Sequence, residues 1–242
     1  MARLPVCLLA LASLCFGAPA DPRAKDFALT SIRRDITVQL DNPGEASHLQ
    51  GNWNGGNCAF TTFDQPRGIY GAAISDRNWY NAGNCGACLN VRGPNGKEIT
   101  AMVVDKCPGC GDNFLNLFAE GYQQLIPSSG FTDKIKVNWD VVSCGFNAPL
   151  AIQNKEGVSQ FWFSVQIQAA NWPVDAVYVS TDDGKTWENT VSKDYNFFER
   201  QDGGGFGTST VALKITCVKG AAVYIRYFQI QDRKKQWAEA NC

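Results

Sequence analysis

The chain has 242 residues and a formal net charge of −1, with 22 basic and 23 acidic side chains, so nothing marks it for nucleic acid or an anionic membrane. After the N-terminus, no segment approaches the ~20 apolar residues of a membrane-spanning helix. The length of the chain suits one large domain or two small ones.

The first twenty residues have the pattern of a secretory signal peptide. Arg3 precedes an apolar run from Leu4 to about Phe16, and small residues around Ala18 and Ala20 fit a signal-peptidase site. We therefore expect residues 1–20 to be removed and the mature chain to be secreted into the extracellular space or cell wall. The alternative is a buried N-terminal helix.

Residues 21–50 are polar, with one possible strand at 35–40 (DITVQL). This pattern predicts a loosely ordered N-terminal extension. From about Gly51 the sequence changes to short β-like pieces separated by Gly, Asn and Pro.

Residues 51–146 predict a mainly β domain. The stretch CLNVRGPNGKEITAMVVDKC reads as two strands joined by a turn at Asn95-Gly96, which is a hairpin signature. Residues 115–125 (LNLFAEGYQQL) predict a helix, and KIKVNWDVVSC predicts a strand with Ile135, Val137 and Trp139 on one face.

Residues 147–242 begin with a short connector and continue as regular short strands. A hairpin turn is predicted at Asp183-Gly184, and no segment shows a helical period. This pattern favours a β-sandwich of roughly 90 residues.

Ten cysteines are present, two of them in the predicted signal peptide. An even number in an exported chain indicates disulfides rather than free thiols. The CxxC at Cys107 and Cys110 lacks two further zinc ligands, since the one histidine is His48, far upstream. Pro108-Gly109 continues into a loop, whereas a thioredoxin-like motif opens a helix. We expect a structural Cys107–Cys110 disulfide, no metal and no cofactor.

Motifs in both halves of the chain resemble those of expansins. The first half contains Gly56-x-Cys58-x-Phe60, NCGACLNVRGPNGK, VVDKCPGC and Leu115-x-Leu117; the second contains KEGVSQFWFSVQI and DYNFF. The resemblance covers about residues 51–242. It implies a six-stranded double-psi β-barrel at 51–146 followed by an immunoglobulin-like β-sandwich at 147–242. It pairs Cys58 with Cys85 and Cys88 with Cys144, which leaves Cys217 for Cys242.

The resemblance also places residues in a barrel groove. The family's barrel is related to glycoside hydrolase family 45, whose members need two carboxylates across the groove. Asp105 matches the first aspartate; the alternative is an aspartate that caps the following turn. Asn116 stands at the aspartate equated with the catalytic acid, and an amide cannot act as a general acid.

Two further groove candidates follow. Asp112, on the loop after the CxxC, is the residue that could replace the missing acid. Where the family commonly has a threonine, this chain has Ala59, and Thr61 is the nearest candidate.

An aromatic platform is implied in the second domain, where Phe161, Trp162 and Tyr195 match the polysaccharide-binding residues. Phe161 stands where tryptophan is usual, and Lys155 beside it is a candidate donor to sugar hydroxyls. In a regular strand Phe161 and Phe163 share one face and Trp162 takes the other. We therefore expect Trp162 to be the exposed residue and at least one neighbour to be core.

The resulting hypothesis is a secreted, monomeric, non-hydrolytic protein that binds cell-wall β-glucan and loosens it. One alternative is an endo-β-1,4-glucanase that uses Asp105 and Asp112. Another is a wall-binding module without loosening activity. Cellulose, chitin, xyloglucan and peptidoglycan all remain possible polymers.

Overall fold

The chain folds into a closed six-stranded barrel followed by two β-sheets that pack as a sandwich. This architecture is taken from a computed structural model, which describes residues 41–127, 130 and 132–242. The mainly β fold predicted from the sequence, a barrel and then a sandwich, is confirmed. Residues 1–20, and the strand predicted at 35–40, lie outside the described residues.

The described part of the barrel contains strands β1 to β6, one short α-helix, α1, and two 3-10 helices at Trp53–Gly55 and Asp76–Asn78. Their bounds are β1 Asn42–Leu49, β2 Ile69–Ser75, β3 Cys88–Arg92, β4 Glu98–Cys107, β5 Leu115–Phe118, α1 Ala119–Leu125 and β6 Lys134–Val142. Around the barrel the order is β1-β5-β2-β4-β3-β6. Two pairs are parallel, β1 with β5 and β2 with β4, and the other four are antiparallel.

The barrel begins at Asn42, so the prediction of a loose extension up to residue 50 was wrong for residues 42–49. Pro43 and Gly44 make β1 a poor strand by local propensity. Pro43 is tolerated because residues 42–45 of β1 pair with β6 alone, whereas Ala46 and Ser47 pair on both sides. Tertiary pairing therefore creates this strand.

The helix predicted over 115–125 is also corrected. Residues 115–118 form β5 between β1 and β2, and the helix begins only at Ala119. Leu115 and Leu117 are fully buried, while Asn116 between them points to the opposite face. The predicted β3–β4 hairpin forms, with Gly96 at a φ of 75° in its turn.

The sandwich has nine short strands in two sheets. Their bounds are β7 Ala151–Asn154, β8 Ser164–Gln168, β9 Val174–Ser180, β10 Glu188–Asn189, β11 Val191–Ser192, β12 Phe198–Glu199, β13 Thr210–Cys217, β14 Val223–Gln229 and β15 Lys235–Trp237. The sheet orders are β10-β9-β13-β14 and β11-β12-β8-β7-β15. Residues of both sheets, among them Val177, Leu213 and Ile167, share one apolar core.

The outer face of the five-stranded sheet lies against the barrel. Every residue of β8 is buried, because Val165 and Ile167 enter the sandwich core while Gln166 and Gln168 face the barrel. The Gln166 side-chain amide donates to the Cys58 carbonyl oxygen at 3.0 Å, and that of Gln168 donates to Thr62 Oγ1 at 3.1 Å. The contact between the two folds is therefore partly polar.

Four disulfides are formed among residues 41–242 as far as the structure describes them. They join Cys58 to Cys85, Cys88 to Cys144, Cys107 to Cys110 and Cys217 to Cys242, the same pairs that the resemblance implies. In the described part of the chain, no helix combines the length and the apolar character needed to cross a membrane.

Candidate functional site

A row of four residues crosses the barrel wall on adjacent strands. Ser47 of β1 is opposite Asn116 of β5, Asn116 is opposite Ala73 of β2, and Ala73 is opposite Asp105 of β4. Residues that pair directly lie on the same face of a sheet. Asp105 and Asn116 are therefore about 10 Å apart, two strand spacings, with only the small Ala73 between them.

Asp105 is held by two backbone N–H groups. Its Oδ1 accepts a hydrogen bond from the N–H of Asn57 at 2.7 Å and from that of Lys106 at 2.8 Å. The second contact is with the next residue of β4, and the first comes from a distant loop. Gly56 permits this approach, because a Cβ there would lie 2.3 Å from the Val104 carbonyl oxygen.

Asn116 is bonded at both ends of its amide. Its Oδ1 accepts from Ser47 Oγ, and its Nδ2 donates to Cys107 Sγ at 3.0 Å. The position of the family's acidic residue thus holds a fixed neutral group with no titratable proton. Ser47 is a site residue that the sequence did not predict, because its strand β1 was not predicted.

The other two groove candidates do not join this row. Asp112 is exposed on the loop after β4 and forms an ion pair with Arg77 Nε at 3.1 Å. Its side chain is 75% exposed, and it does not pair with any strand of the row. Thr61 is exposed, and within the described residues its backbone N–H donates to the Ala59 carbonyl oxygen at 2.8 Å.

Lys155 lies at the centre of the aromatic cluster in the sandwich. Its Nζ is 4.2 Å from the ring centroid of Tyr195, 4.9 Å from that of Phe197 and 5.7 Å from that of Trp162. These are cation–π distances, in which the ammonium group faces the negative potential of the rings. Three of the four platform candidates therefore form one cluster with a positive charge among them.

Phe161, rather than Trp162, is the exposed aromatic residue of the pair, so this expectation was wrong. Ser159 and Trp162 exchange two backbone hydrogen bonds, of 2.9 and 3.1 Å, which places Phe161 at the tip of a tight turn. Phe161 is 75% exposed. Trp162 is partly buried against the sandwich core, and Phe163 is fully buried. The expectation failed because it assumed a regular strand.

Tyr195 is anchored by a buried carboxylate. Its hydroxyl donates to Oε1 of Glu199, which also accepts from Ser164 Oγ at 3.0 Å and lies near Lys193. Burial, followed by this hydrogen bond to Glu199, raises the pKa of Tyr195 to about 12. Glu199 was missed from the sequence, although it stands directly after the DYNFF motif.

No group of three or more His, Cys, Asp or Glu side chains in the described residues could hold a metal ion. The row on the barrel presents hydrogen-bonding groups and one carboxylate, and the cluster in the sandwich presents aromatic faces and an ammonium group.

The known proteins to which this chain is similar match it across both the barrel and the sandwich. No protein-family model matches the chain. Expansin-like protein 1 of Dictyostelium discoideum is 24% identical over 75% of this chain and 65% of its own length. Expansin-YoaJ of Bacillus subtilis is 26% identical over 74% of this chain and 75% of its own. A solved Clavibacter michiganensis expansin variant in complex with cellohexaose has a TM-score of 0.72 and 26% identity, over 84% of this chain and 98% of that one.

The fold is that of a two-domain protein in which a β-barrel with both parallel and antiparallel strand pairs is followed by a β-sandwich. In both halves the chain is similar to expansins and expansin-like proteins, in its sequence motifs and in its fold.

Proposed function

We propose that this protein is secreted, binds β-glucan chains of a cell wall and loosens the wall without hydrolysing them. The observation that carries the proposal is the amide of Asn116, which stands in the groove row with Asp105 and is bonded to both Ser47 and Cys107. Glycoside cleavage needs a proton donor as well as a base or nucleophile. Only Asp105 contributes a carboxylate to this row.

The aromatic cluster supports the binding half of the proposal. Planar rings cover the apolar C–H faces of glucose, and Phe161 at 75% and Tyr195 at 38% exposure present such rings. Lys155 among them adds a donor for sugar hydroxyls. The Clavibacter relative in complex with cellohexaose supports a β-1,4-glucan as the first ligand to test.

Loosening then uses binding free energy without a chemical step. A glucan chain held by the aromatic rings and by the groove exchanges hydrogen bonds with its neighbours for contacts with the protein. Breaking a hydrogen bond between two polymers in this way costs little free energy, because the freed donor and acceptor form new hydrogen bonds with the protein.

The deciding experiment measures the weakening of filter paper and the release of reducing ends on the same sample. We expect weakening without new reducing ends. Steady release of ends would favour the second candidate, an endo-β-1,4-glucanase in which Asp112 supplies the acid, although the ion pair of Asp112 with Arg77 argues against it. Binding without weakening would leave a wall-binding module.

A further inference from the structure

The sandwich has a second group of aromatic rings, on the outer face of its four-stranded sheet. Tyr178 of β9 pairs directly with Lys214 of β13, and Lys214 pairs directly with Tyr224 of β14. Their chain neighbours, among them Val177 and Leu213, are buried in the sandwich core. Because side chains alternate between the two faces of a sheet, Tyr178, Lys214 and Tyr224 form a row on the face that points away from this core.

Trp187 joins this row from the other edge of the sheet. It stands directly before β10, whereas Tyr224 lies on β14 at the opposite edge, and their ring centroids are 6.0 Å apart with an angle of 61° between the rings. The Trp187 ring rests on the β9–β10 hairpin, where a Cβ at Gly184 would lie 3.2 Å from Trp187 Cζ2. Tyr224 is 50% exposed and Trp187 is partly exposed. Rings from both edges therefore meet over the outer face of the sheet.

Lys214 adds an ammonium group to these rings. Its Nζ lies 5.1 Å from the ring centroid of Tyr178, which is a cation–π distance. Lys155 has the same relation to Tyr195 in the aromatic cluster that we propose for sugar binding. We call Tyr178, Trp187, Lys214 and Tyr224 the outer cluster. It resembles the first cluster in composition, since each combines tyrosine and tryptophan rings with one lysine.

The two clusters belong to different sheets of the sandwich. Lys155 follows β7 and Tyr195 precedes β12, and both strands are in the five-stranded sheet, whose outer face lies against the barrel. The outer cluster is on the four-stranded sheet, with the sandwich core between the two sheets. Its rings point away from the barrel. A stiff polymer chain that lies on the outer cluster is therefore not the chain that contacts the barrel.

We propose that the outer cluster is a second binding site, for a neutral β-1,4-linked glycan chain, so that one molecule holds two chains. The ligand class rests on the proposed function. Ring faces have a negative potential, which complements the partial positive charge of sugar C–H groups. The Lys214 ammonium group donates to hydroxyl oxygens. Tyr178 and Tyr224 are two strand spacings, about 10 Å, apart, so one extended chain that crosses the strands contacts both.

A second site matters for loosening because it places the protein between two polymers. Once one chain is bound at the first cluster, a neighbouring chain of the wall is held near the outer cluster at a high effective concentration. Each chain then exchanges hydrogen bonds with the other polymer for contacts with the protein.

The first test locates both sites by NMR titration of the full chain with cellohexaose. We expect changes in backbone amide shifts near Tyr195 and, separately, near Tyr178 and Tyr224. Tyr224→Ala with Lys214→Gln should weaken binding at the outer cluster by about tenfold, the scale of one lost stacked ring, and leave the shifts near Tyr195 unchanged. Trp237→Ala is the matched control, because Trp237 is also an exposed aromatic residue of the sandwich but lies on β15 of the other sheet.

The second test measures whether one molecule joins two polymers. Wild-type protein added to a dilute suspension of cellulose nanocrystals should cluster them, as turbidity reports. At equal bound protein, Tyr224→Ala with Lys214→Gln should abolish this clustering, and Trp237→Ala should not change it. The NMR spectrum shows whether the double variant is folded. If it is not, Lys214→Gln alone keeps the side-chain length and should reduce both shift changes and clustering.

The outcomes separate this proposal from the proposed function. Shift changes near Tyr195 alone, or clustering that survives in the double variant, would overturn the second site and leave the proposed function standing. Shift changes at neither cluster would also overturn it, and the proposed function fails too if the wild type does not bind insoluble glucan. Shift changes at the outer cluster alone would support the second site and contradict the role of Tyr195.

Two further measurements test the choice of ligand. Polygalacturonate that shifts the outer cluster more strongly than cellohexaose would assign the face to an acidic polymer. A wild-type dimer in sedimentation velocity that Tyr224→Ala converts to a monomer would assign it to a second copy of this chain. Either result would overturn the proposal, and we expect a monomer and a weaker response to polygalacturonate.

Discussion

The hydroxyl of Tyr195 donates a 2.6 Å hydrogen bond to Oε1 of Glu199, a carboxylate that is only 6% exposed. Glu199 lies in β12 and pairs with Ser164 of β8, so the bond fixes the tyrosine of a surface turn to the interior of a sheet. The ring face that we propose for sugar binding is therefore oriented before any ligand arrives. Such preorganisation lowers the entropy that binding must offset.

Because of this bond and its burial, Tyr195 is expected to ionise at a higher pH than an exposed tyrosine. Its pKa is raised from 10.0 to about 12, first by burial and then by Glu199. Because the folded-state pKa lies above the unfolded one, the resulting stability is fully present below about pH 10 and is lost as the pH rises through about 12. Ultraviolet titration of wild type minus Tyr195→Phe should isolate this transition. Glu199→Gln should move it to lower pH; an unchanged transition would contradict the assigned cause.

Phe161 and Trp162 should differ in what they contribute. We expect Phe161→Ala to weaken binding to insoluble glucan by about 1–3 kcal/mol, taking base stacking on aromatic side chains as the scale. Its effect on folding stability should stay within about 0.5 kcal/mol, because the ring is exposed. Trp162→Ala should reduce both binding and stability, since its ring packs on the sandwich core. Equal drops in melting temperature for the two variants would contradict this assignment.

The difference between these two residues shows what the sequence could predict and what it could not. Alternation identified β6, where Ile135, Val137 and Trp139 are buried, and Asn95-Gly96 identified the β3–β4 turn. The position of Phe161 depends on two hydrogen bonds between Ser159 and Trp162, which have no periodic signature.

Strand β1 was not predicted because its formation also depends on contacts that leave no local sequence pattern. Its residues have weak strand propensity, and its pairing partners in β5 and β6 lie between 69 (Ala46 to Leu115) and 97 (Asn42 to Trp139) positions away. Because β1 was not predicted, Ser47, the hydrogen-bond partner of Asn116, was not predicted either. The hydrogen bond from the Asn57 side-chain amide to the Asp194 carbonyl oxygen joins residues that are 137 positions apart, and no pattern in either local segment predicts it.

The disulfides should differ in their contribution to stability. In the chain-entropy description a bridge stabilises more when it closes a longer loop. Cys88–Cys144 spans 56 positions and Cys107–Cys110 spans 3. Replacing the first pair by serine should cost about 4 kcal/mol of unfolding free energy, and replacing the second about 2 kcal/mol. Denaturant melts of the two double variants would check this order, and the reverse order would contradict it.

The peptide that contains Cys107 and Cys110 should also resist alkylation unless a reductant is present, because both sulfurs are bonded. Mass spectrometry of digests made with and without reductant measures this directly. A stoichiometric zinc ion, or two alkylated thiols without reductant, would contradict the structural role of this pair.

The last prediction concerns catalysis in the groove. Asp105 has its Oδ1 occupied by the N–H groups of Asn57 and Lys106, and the amide of Asn116 stands about two strand spacings, ~10 Å, across the row. Without a proton donor the leaving alkoxide departs unprotonated, and general-acid assistance is worth about 10²–10⁴ in rate. We therefore expect no steady release of reducing ends by the wild type, while Asp105→Asn still impairs loosening because the charged groove acceptor is lost.

Two variants make this prediction sharper. Asn116→Asp restores a carboxyl group, but it also replaces the amide that donates to Cys107 Sγ, and its position, pKa and attacking water must all fit before it can act as an acid. We expect it to change glucan affinity or loosening and to release few reducing ends. Asp112→Asn tests whether Asp112 acts as the catalytic acid. It removes the ion pair with Arg77, and we expect it to change neither loosening nor hydrolysis. If the wild type releases reducing ends steadily, and Asp105→Asn or Asp112→Asn abolishes that release, the protein is an endoglucanase and the non-hydrolytic proposal is wrong.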